Sequence, residues 1–129
     1  YNTELTNRLI SNTSLYVKEK VSGIYGDVVI KTFNDEAIDA LKQLASSIVN
    51  KLDNGIVFLI NVKEDSLNFI AKESNSLKDT FNVGNLIKNV SKIASGSGGG
   101  SALFAQGGGS SVDKLDMILT YVKSLIEKE

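Results

Sequence analysis

The stretch that organises this chain is "GIVFLINV", residues 55–62, a nearly unbroken apolar run of strand length. Such a run is typical of a central strand that is covered on both faces. A polar turn at residues 63–66 follows, and then "LNFIAKE", residues 67–73, has the composition of an antiparallel partner strand. We therefore predict a β-hairpin in the middle of a sheet.

Upstream of this hairpin the sequence predicts a strand and a long amphipathic helix. Residues 27–33, "DVVIKTF", are rich in β-branched and aromatic residues and predict a strand. Asn34 suits a helix N-cap, and Asn54-Gly55 suits the C-terminal end of that helix. The apolar residues between them recur every three or four positions: Ile38, Leu41, Leu44, Ala45, Ile48 and Leu52.

Downstream, two further amphipathic helices are predicted, over residues 82–94 and from about Ser111 to the end. The apolar stripe of the first comprises Val83, Leu86, Ile87, Val90, Ile93 and Ala94. That of the second comprises Val112, Leu115, Leu119, Val122, Leu125 and Ile126. Residues 4–22 also have roughly helical apolar spacing and predict a helix that leads into the domain.

These elements predict an α/β (or α+β) fold, a small mixed β-sheet with amphipathic helices packed on it, preceded by an N-terminal helix. We divide the chain into residues 1–26, a linker or dimerisation helix, and residues 27–129, the folded domain. A chain of 129 residues with 42% apolar and 22% charged residues has the composition of one soluble globular domain. Because it begins with Tyr1 and not Met, we expect it to be a piece of a larger protein.

The composition argues against catalysis by this piece. The chain has no histidine and no cysteine, which excludes the commonest general base, the common catalytic triads, disulfides and most zinc chemistry. The acidic residues lie at predicted helix starts and turns, and none has an apolar context that would raise its pKa. We therefore predict neither catalytic residues nor a metal site, and an intracellular, non-membrane setting.

The segment "SGSGGGSALFAQGGGSS", residues 95–111, holds seven of the eleven glycines. One interpretation is a flexible linker, although a tether more often lies between domains. A second is a polyanion cradle, in which backbone N–H groups converge beside a helix that Ser110 and Asp113 cap. A third is a pair of tight turns around a short strand at residues 102–106, with glycine supplying backbone freedom.

The helix before this segment carries a polar face with Lys88 and Lys92 one turn apart. Net charge is −1, so nucleic-acid binding would have to use a local basic patch of this kind. The alternative is a solvated helix face without a function. The face leads directly into the glycine segment, so the two share a surface.

With these residues in view, "GSGGGSALFAQGGG" resembles the C-terminal domain of alanyl-tRNA synthetases. This is the DHH-associated domain, which also occurs on DHH phosphoesterases and on some free-standing alanyl-tRNA editing proteins. The positions that match the family pattern in register are Gly96, Gly98, Gly99, Gly100, Ala105, Gln106, Gly108 and Gly109. The resemblance covers about residues 27–129. Where synthetases usually carry Lys and then Arg-Pro-Asp, this chain has Ser97 and then Ser101, Ala102 and Leu103, so two basic contacts to RNA are missing.

The resemblance implies a non-catalytic tRNA-binding or tRNA-positioning domain of a cytoplasmic aminoacylation or editing protein. Its implied partners are an alanine-specific tRNA, the upstream domains of the parent protein and a second copy bound through residues 4–22. No cofactor is expected in this piece, and zinc or ATP would belong to the rest of the parent chain. The RNA- or anion-binding residues are then Lys88, Lys92, Gly98, Gly99, Gly100, Ser101, Gln106, Gly107, Gly108 and Gly109.

Two other functions stay open at this point. The chain could be a structural module for dimerisation or domain docking that does not contact RNA. It could also be the nucleotide-binding domain of a DHH phosphoesterase, although that branch usually carries Gly-Gly-His in this segment. Synthetase and free-standing editing protein are not separated by the sequence of this piece.

Overall fold

The apolar run at residues 55–62 forms a strand inside a six-stranded mixed sheet. The computed structural model describes residues 21–22, 26–36, 38–52, 54–77, 81–101 and 103–126. The strands are β1 (Val21–Ser22), β2 (Asp27–Asn34), β3 (Gly55–Val62), β4 (Leu67–Glu73), β5 (Ser97–Gly100) and β6 (Phe104–Gly109). The helices are α1 (Ile38–Lys51), α2 (Val83–Ile93) and α3 (Leu115–Ile126).

The spatial order of the strands is β1-β2-β3-β4-β6-β5. Strands β2 and β3 are parallel and are joined through α1, whereas all other neighbouring pairs are antiparallel. The predicted central hairpin is confirmed, since Val62 pairs with Leu67 across the turn. The predicted mixed sheet with amphipathic helices is confirmed as well.

Alternating residues of β3 contribute to two separate hydrophobic cores. Ile56, Phe58 and Ile60 face α2 and α3, and the Phe58 and Phe69 rings stack with centroids 6.0 Å apart. Val57 and Leu59 face α1. Because both faces of β3 are buried, its side chains are apolar almost throughout.

The predicted ends of the helix over residues 38–51 are wrong in their details. Asn34 is not an N-cap, because it is the last residue of β2 and pairs with Val62, while α1 begins at Ile38. The chain turns at Asp35, which has a φ of 53°. Gly55 does not have the left-handed conformation of a helix C-cap and starts β3 instead; a Cβ there would lie 2.7 Å from Leu52 Cβ.

The last helix begins after one 3₁₀ turn, Val112–Lys114. The predicted capping box of Ser110 and Asp113 is wrong, because Ser111 occupies the N-cap and its side chain makes no capping hydrogen bond. The predicted apolar stripe also missed Ile118, which is buried.

The predicted helix over residues 4–22 lies almost entirely outside the described residues. Its last two residues, Val21 and Ser22, are a strand that pairs with β2. Within the described ranges, no helix combines the length and the apolar character needed to cross a membrane.

Candidate nucleic-acid interface

Helix α2 places Lys88 and Lys92 on its outer surface. Its N-terminus is capped by Asn82, whose Oδ1 accepts a hydrogen bond from the Asn85 backbone N–H at 3.1 Å. The inner face is fully apolar apart from Gly84 and Ser91, and it packs on β4, β5 and β6. Lys88 and Lys92 are consequently exposed on the side turned away from the sheet.

The polar face of α2 borders α3. Asn89 Nδ2 donates a hydrogen bond of 3.1 Å to the Tyr121 hydroxyl on that helix. Helix α2 contains no acidic residue, so its two lysines have no carboxylate partner within their own helix. The arrangement is a small, exposed basic surface of the type that can contact phosphates.

The glycine segment forms a β-hairpin, so the linker interpretation is wrong. Strands β5 and β6 pair in a register that sets Gly98 opposite Gly107 and Gly99 opposite Gln106. The predicted strand at residues 102–106 is displaced, because the chain turns between Ser101 and Phe104 and the second strand runs on through the glycine triplet.

Ser101 closes this turn. Its backbone N–H donates to Phe104 O at 2.9 Å, and its hydroxyl oxygen accepts hydrogen bonds from the backbone N–H groups of Leu103 and Phe104. The hydroxyl also donates a hydrogen bond of 3.3 Å to Phe104 O, so four hydrogen bonds of Ser101 lie within the turn itself. Ser101 therefore stabilises the turn between β5 and β6.

Three glycines of the hairpin, Gly98, Gly107 and Gly109, permit close packing against α2 and its C-terminal end. A Cβ on Gly98 would lie 2.7 Å from Ser91 Oγ, and one on Gly107 would meet the same oxygen and Ile87 Cγ2. Gly109 faces Ala94 in the same way. No described glycine has a positive φ, so these residues supply space for a neighbouring helix and not unusual backbone conformations.

The predicted site residues fall on two opposite faces of the sheet. Because side chains alternate along a strand, the glycines that face α2 alternate with residues that face the other way. Gly98, Gly100, Gly107 and Gly109 face α2, whereas Gly99, Gln106 and Gly108 face the α1 side. Lys88 and Lys92 lie beyond α2, and Ser101 lies at the hairpin turn. The structure therefore does not bring the predicted residues into one site.

A shallow cleft of about 320 Å³ opens on the α1 side of the sheet. Its lining residues are Ile38, Asn68, Phe69, Gln106 and Gly107. Asn68 was missed by the sequence analysis; it pairs with Gly108 in the β4–β6 ladder, which no local pattern predicts.

Glu73 corrects the expectation that no carboxylate has an apolar context. It is only 2% exposed, and neither carboxylate oxygen has a hydrogen-bond partner among the described atoms. Burial raises the pKa of Glu73 to about 7, and the nearby backbone N–H of Val83 at the start of α2 offsets part of that effect. The period-two pattern of Leu67, Phe69, Ala71 and Glu73 was a signal that this side chain faces the core.

Comparison with known proteins agrees with the resemblance seen in the glycine segment. A model of the DHHA1 domain matches residues 25–128. An alanine–tRNA ligase from Clostridioides difficile (strain 630) is 34% identical over 113 residues, and one from Fervidobacterium nodosum is 34% identical over 128 residues. These matches cover 87% and 98% of this chain but only 13% and 14% of the ligases.

A solved structure is similar over nearly its whole length. The crystal structure of the C-Ala domain from Aquifex aeolicus alanyl-tRNA synthetase superposes with a TM-score of 0.73 at 29% sequence identity, over 80% of this chain and 92% of that domain. Since the family model covers well over half of the sequence, this chain belongs to the DHHA1 domain family.

Proposed function

We propose that this chain is the C-terminal domain of an alanine–tRNA ligase and that it binds and positions tRNA without catalysing a reaction. The similarity to alanine–tRNA ligases and to a C-Ala domain supports the proposal that the parent protein is an alanine–tRNA ligase. The ligase activity would reside in the rest of the parent protein, whose other domains are then partners of this one.

The observation that carries the tRNA-binding role is the exposed pair Lys88 and Lys92 on α2. The chain as a whole is slightly acidic, so phosphate binding requires a local surface, and this helix supplies one without acidic residues. The resembling synthetases usually have further basic residues in the glycine segment, which are Ser97 and Ser101 here. We therefore expect weak binding that depends strongly on salt.

The test is fluorescence anisotropy of a labelled tRNA-Ala transcript titrated with this chain over a series of salt concentrations. The double variant Lys88→Ala/Lys92→Ala should bind more weakly and should lower the slope of log K against log salt by roughly one unit per lysine. The control Lys51→Ala removes one exposed lysine from α1, on the other side of the sheet, and should leave the slope unchanged.

Two outcomes would contradict the proposal. One is the absence of any affinity for the transcript at low salt, and the other is an unchanged slope in the double variant. A dimer in light scattering that persists without RNA affinity would favour a structural module instead.

A further inference from the structure

The boundary between α1 and β3 holds the one Asn-Gly dipeptide of the sequence, Asn54-Gly55. Asparagine is a chemically labile residue, and it is most labile before glycine, because glycine has no side chain to hinder the approach of its backbone nitrogen to the asparagine carboxamide. Asn54 is exposed, whereas Gly55 is buried as the first residue of β3. Water can therefore reach the asparagine, and the attacking nitrogen lies inside the fold.

Packing requires glycine at position 55. A Cβ there would lie 2.7 Å from Leu52 Cβ, and Leu52 belongs to the core beneath α1. The φ of Gly55 is not positive, so the requirement comes from the lack of space and not from an unusual backbone conformation. The labile dipeptide is thus a consequence of packing, and any protection of it has to come from other residues.

Ser74 occupies the nitrogen that would react. The Gly55 N–H donates a hydrogen bond of 2.9 Å to Ser74 Oγ, and Gly55 O accepts one of 2.9 Å from the Ser74 N–H. Ser74 is only 7% exposed, so this pair of hydrogen bonds is shielded from solvent. Because Ser74 follows β4 directly, the contact joins the start of β3 to the end of β4.

Two further hydrogen bonds hold Asn54 itself. Its backbone O accepts one of 2.8 Å from the N–H of Asp27, the first residue of β2. Its Oδ1 accepts one from the hydroxyl of Ser76, in the 3₁₀ turn after β4. The Gly55 N–H is nevertheless the decisive group, because attack on the carboxamide requires this nitrogen to lose its proton to a base from the solvent.

We propose that Asn54 is a deamidation site that reacts only when the hydrogen bond between the Gly55 N–H and Ser74 Oγ opens. A solvent base then removes the Gly55 amide proton, and the nitrogen attacks Asn54 Cγ. The new N–Cγ bond forms, the bond from Cγ to the side-chain nitrogen breaks, and that nitrogen takes up a proton from the solvent and leaves as ammonia. Water opens the resulting succinimide at either carbonyl, which gives aspartate or isoaspartate.

Either product changes the start of the central strand. Aspartate places a new negative charge beside Asp27. In isoaspartate the main chain runs through the former side chain and is longer by one methylene, so the carbonyl that accepts the Asp27 hydrogen bond no longer belongs to the main chain. Deamidation at this position therefore disturbs the junction of β2, β3 and β4.

The test follows deamidation of the full chain at neutral pH by mass spectrometry of the tryptic peptide 52–63, with fragmentation to separate Asn54 from Asn61. The samples are the native wild type, the wild type unfolded in urea, Ser74→Ala and Val90→Ala. Val90 is buried in the core beneath α2 and α3, so this control lowers global stability without touching the Ser74 hydrogen bond. Urea denaturation establishes that both variants are folded.

We expect the native wild type to deamidate at least about tenfold more slowly than the unfolded chain. Ser74→Ala should react about tenfold faster than the native wild type, because the loss of one hydrogen bond favours local opening by roughly that factor. Val90→Ala should keep the wild-type rate. The wild type alone supplies a second test: the ratio of its unfolded to its native rate should match the hydrogen-exchange protection factor of the Gly55 amide.

An unchanged rate in folded Ser74→Ala would overturn the proposal. Equal acceleration in Val90→Ala would overturn it as well, since deamidation would then follow global unfolding. So would reaction of the native wild type at the unfolded rate, or no reaction at Asn54 in either state. If Ser74→Ala does not fold, the comparison with the Gly55 protection factor decides, and a mismatch between the two ratios counts against the proposal.

Discussion

At the scale of single residues, Glu73 is the least expected feature of this domain. Its carboxylate is buried at the N-terminus of α2, where the helix dipole favours a negative charge but desolvation opposes it. The pKa of about 7 shows that desolvation is the larger effect. The folded domain therefore carries a group that titrates close to neutral pH.

We predict that the domain becomes less stable as the pH rises from about 4.5 to about 7. The folded-state pKa of Glu73 lies above the ordinary value of 4.5, so within this window the folded state binds more protons than the unfolded state. The free energy of unfolding should fall by about 3 kcal/mol and level off above the window. Glu73→Gln should remove this fall and be more stable than the wild type at alkaline pH, as measured by urea denaturation.

Glu64→Gln is the matched control, since Glu64 is an exposed residue of the β3–β4 turn. It should keep the wild-type pH dependence. The same fall in stability in Glu73→Gln as in the wild type would show that Glu73 is not its source.

At the scale of elements, the decisive contact is the packing of α2 on the glycine hairpin. Ser91 is fully buried there, and its hydroxyl lies against the backbone of Gly98 and Gly107 and has no hydrogen-bond partner among the described atoms. The two glycines let the helix approach the strand backbones directly, so the contact depends on the absence of two Cβ atoms.

We predict that Gly107→Ala lowers the free energy of unfolding by about 1–3 kcal/mol, because the new methyl group would overlap Ser91 Oγ. Ser91→Ala alone should change the free energy of unfolding little. In the double variant it should recover part of the stability lost through Gly107→Ala, which corresponds to a coupling energy of about 1 kcal/mol between the two positions. Denaturant unfolding of the wild type, the two single variants and the double variant measures this coupling energy.

Gly99→Ala is the control on the same hairpin, because a side chain at that position meets no neighbour. It should be neutral or stabilising by up to about 1 kcal/mol. Strict additivity of Ser91→Ala and Gly107→Ala would argue against the steric contact.

At the scale of the whole molecule, β3 contributes alternate residues to both hydrophobic cores, as its neighbours β2 and β4 also do. Phe58 belongs to the core beneath α2 and α3, and its neighbour Leu59 belongs to the core beneath α1. Neither core can lose β3 without exposing the apolar residues of the other. The described domain should therefore unfold in one cooperative transition.

We predict that Phe58→Ala destabilises both halves of the molecule by about 3–5 kcal/mol, the usual cost of emptying a large aromatic site. Native-state hydrogen exchange should report similar losses for the amides of α1 and of α2. Leu59→Ala, on the other face of the same strand, should also lower protection in both helices. Loss of protection confined to α2 in Phe58→Ala would show that the cores unfold separately.

The sequence alone determined the central hairpin, the three helices and the family. The hairpin and helices follow from local periodicity. The apolar residues that form each element, as in residues 38–52, 55–62 and 83–94, lie within one short stretch of sequence, so their spacing can be read directly. The family follows from the order and spacing of residues in "GSGGGSALFAQGGG". The apolar periodicity of residues 82–94 placed Lys88 and Lys92 on the outer face of α2.

Only the tertiary structure decided how the glycine segment is used. Strands built from "SGGG" and "FAQGGG" have too few side chains to show a period of two, so neither the β4–β6 register nor the face of each glycine can be read locally. The packing of α2 requires glycine at Gly98 and Gly107, whereas at Gly99 a side chain would meet no neighbouring atom. The burial of Glu73 likewise results from elements far apart in sequence meeting at one end of the sheet, because desolvation depends on all the atoms that surround a charge.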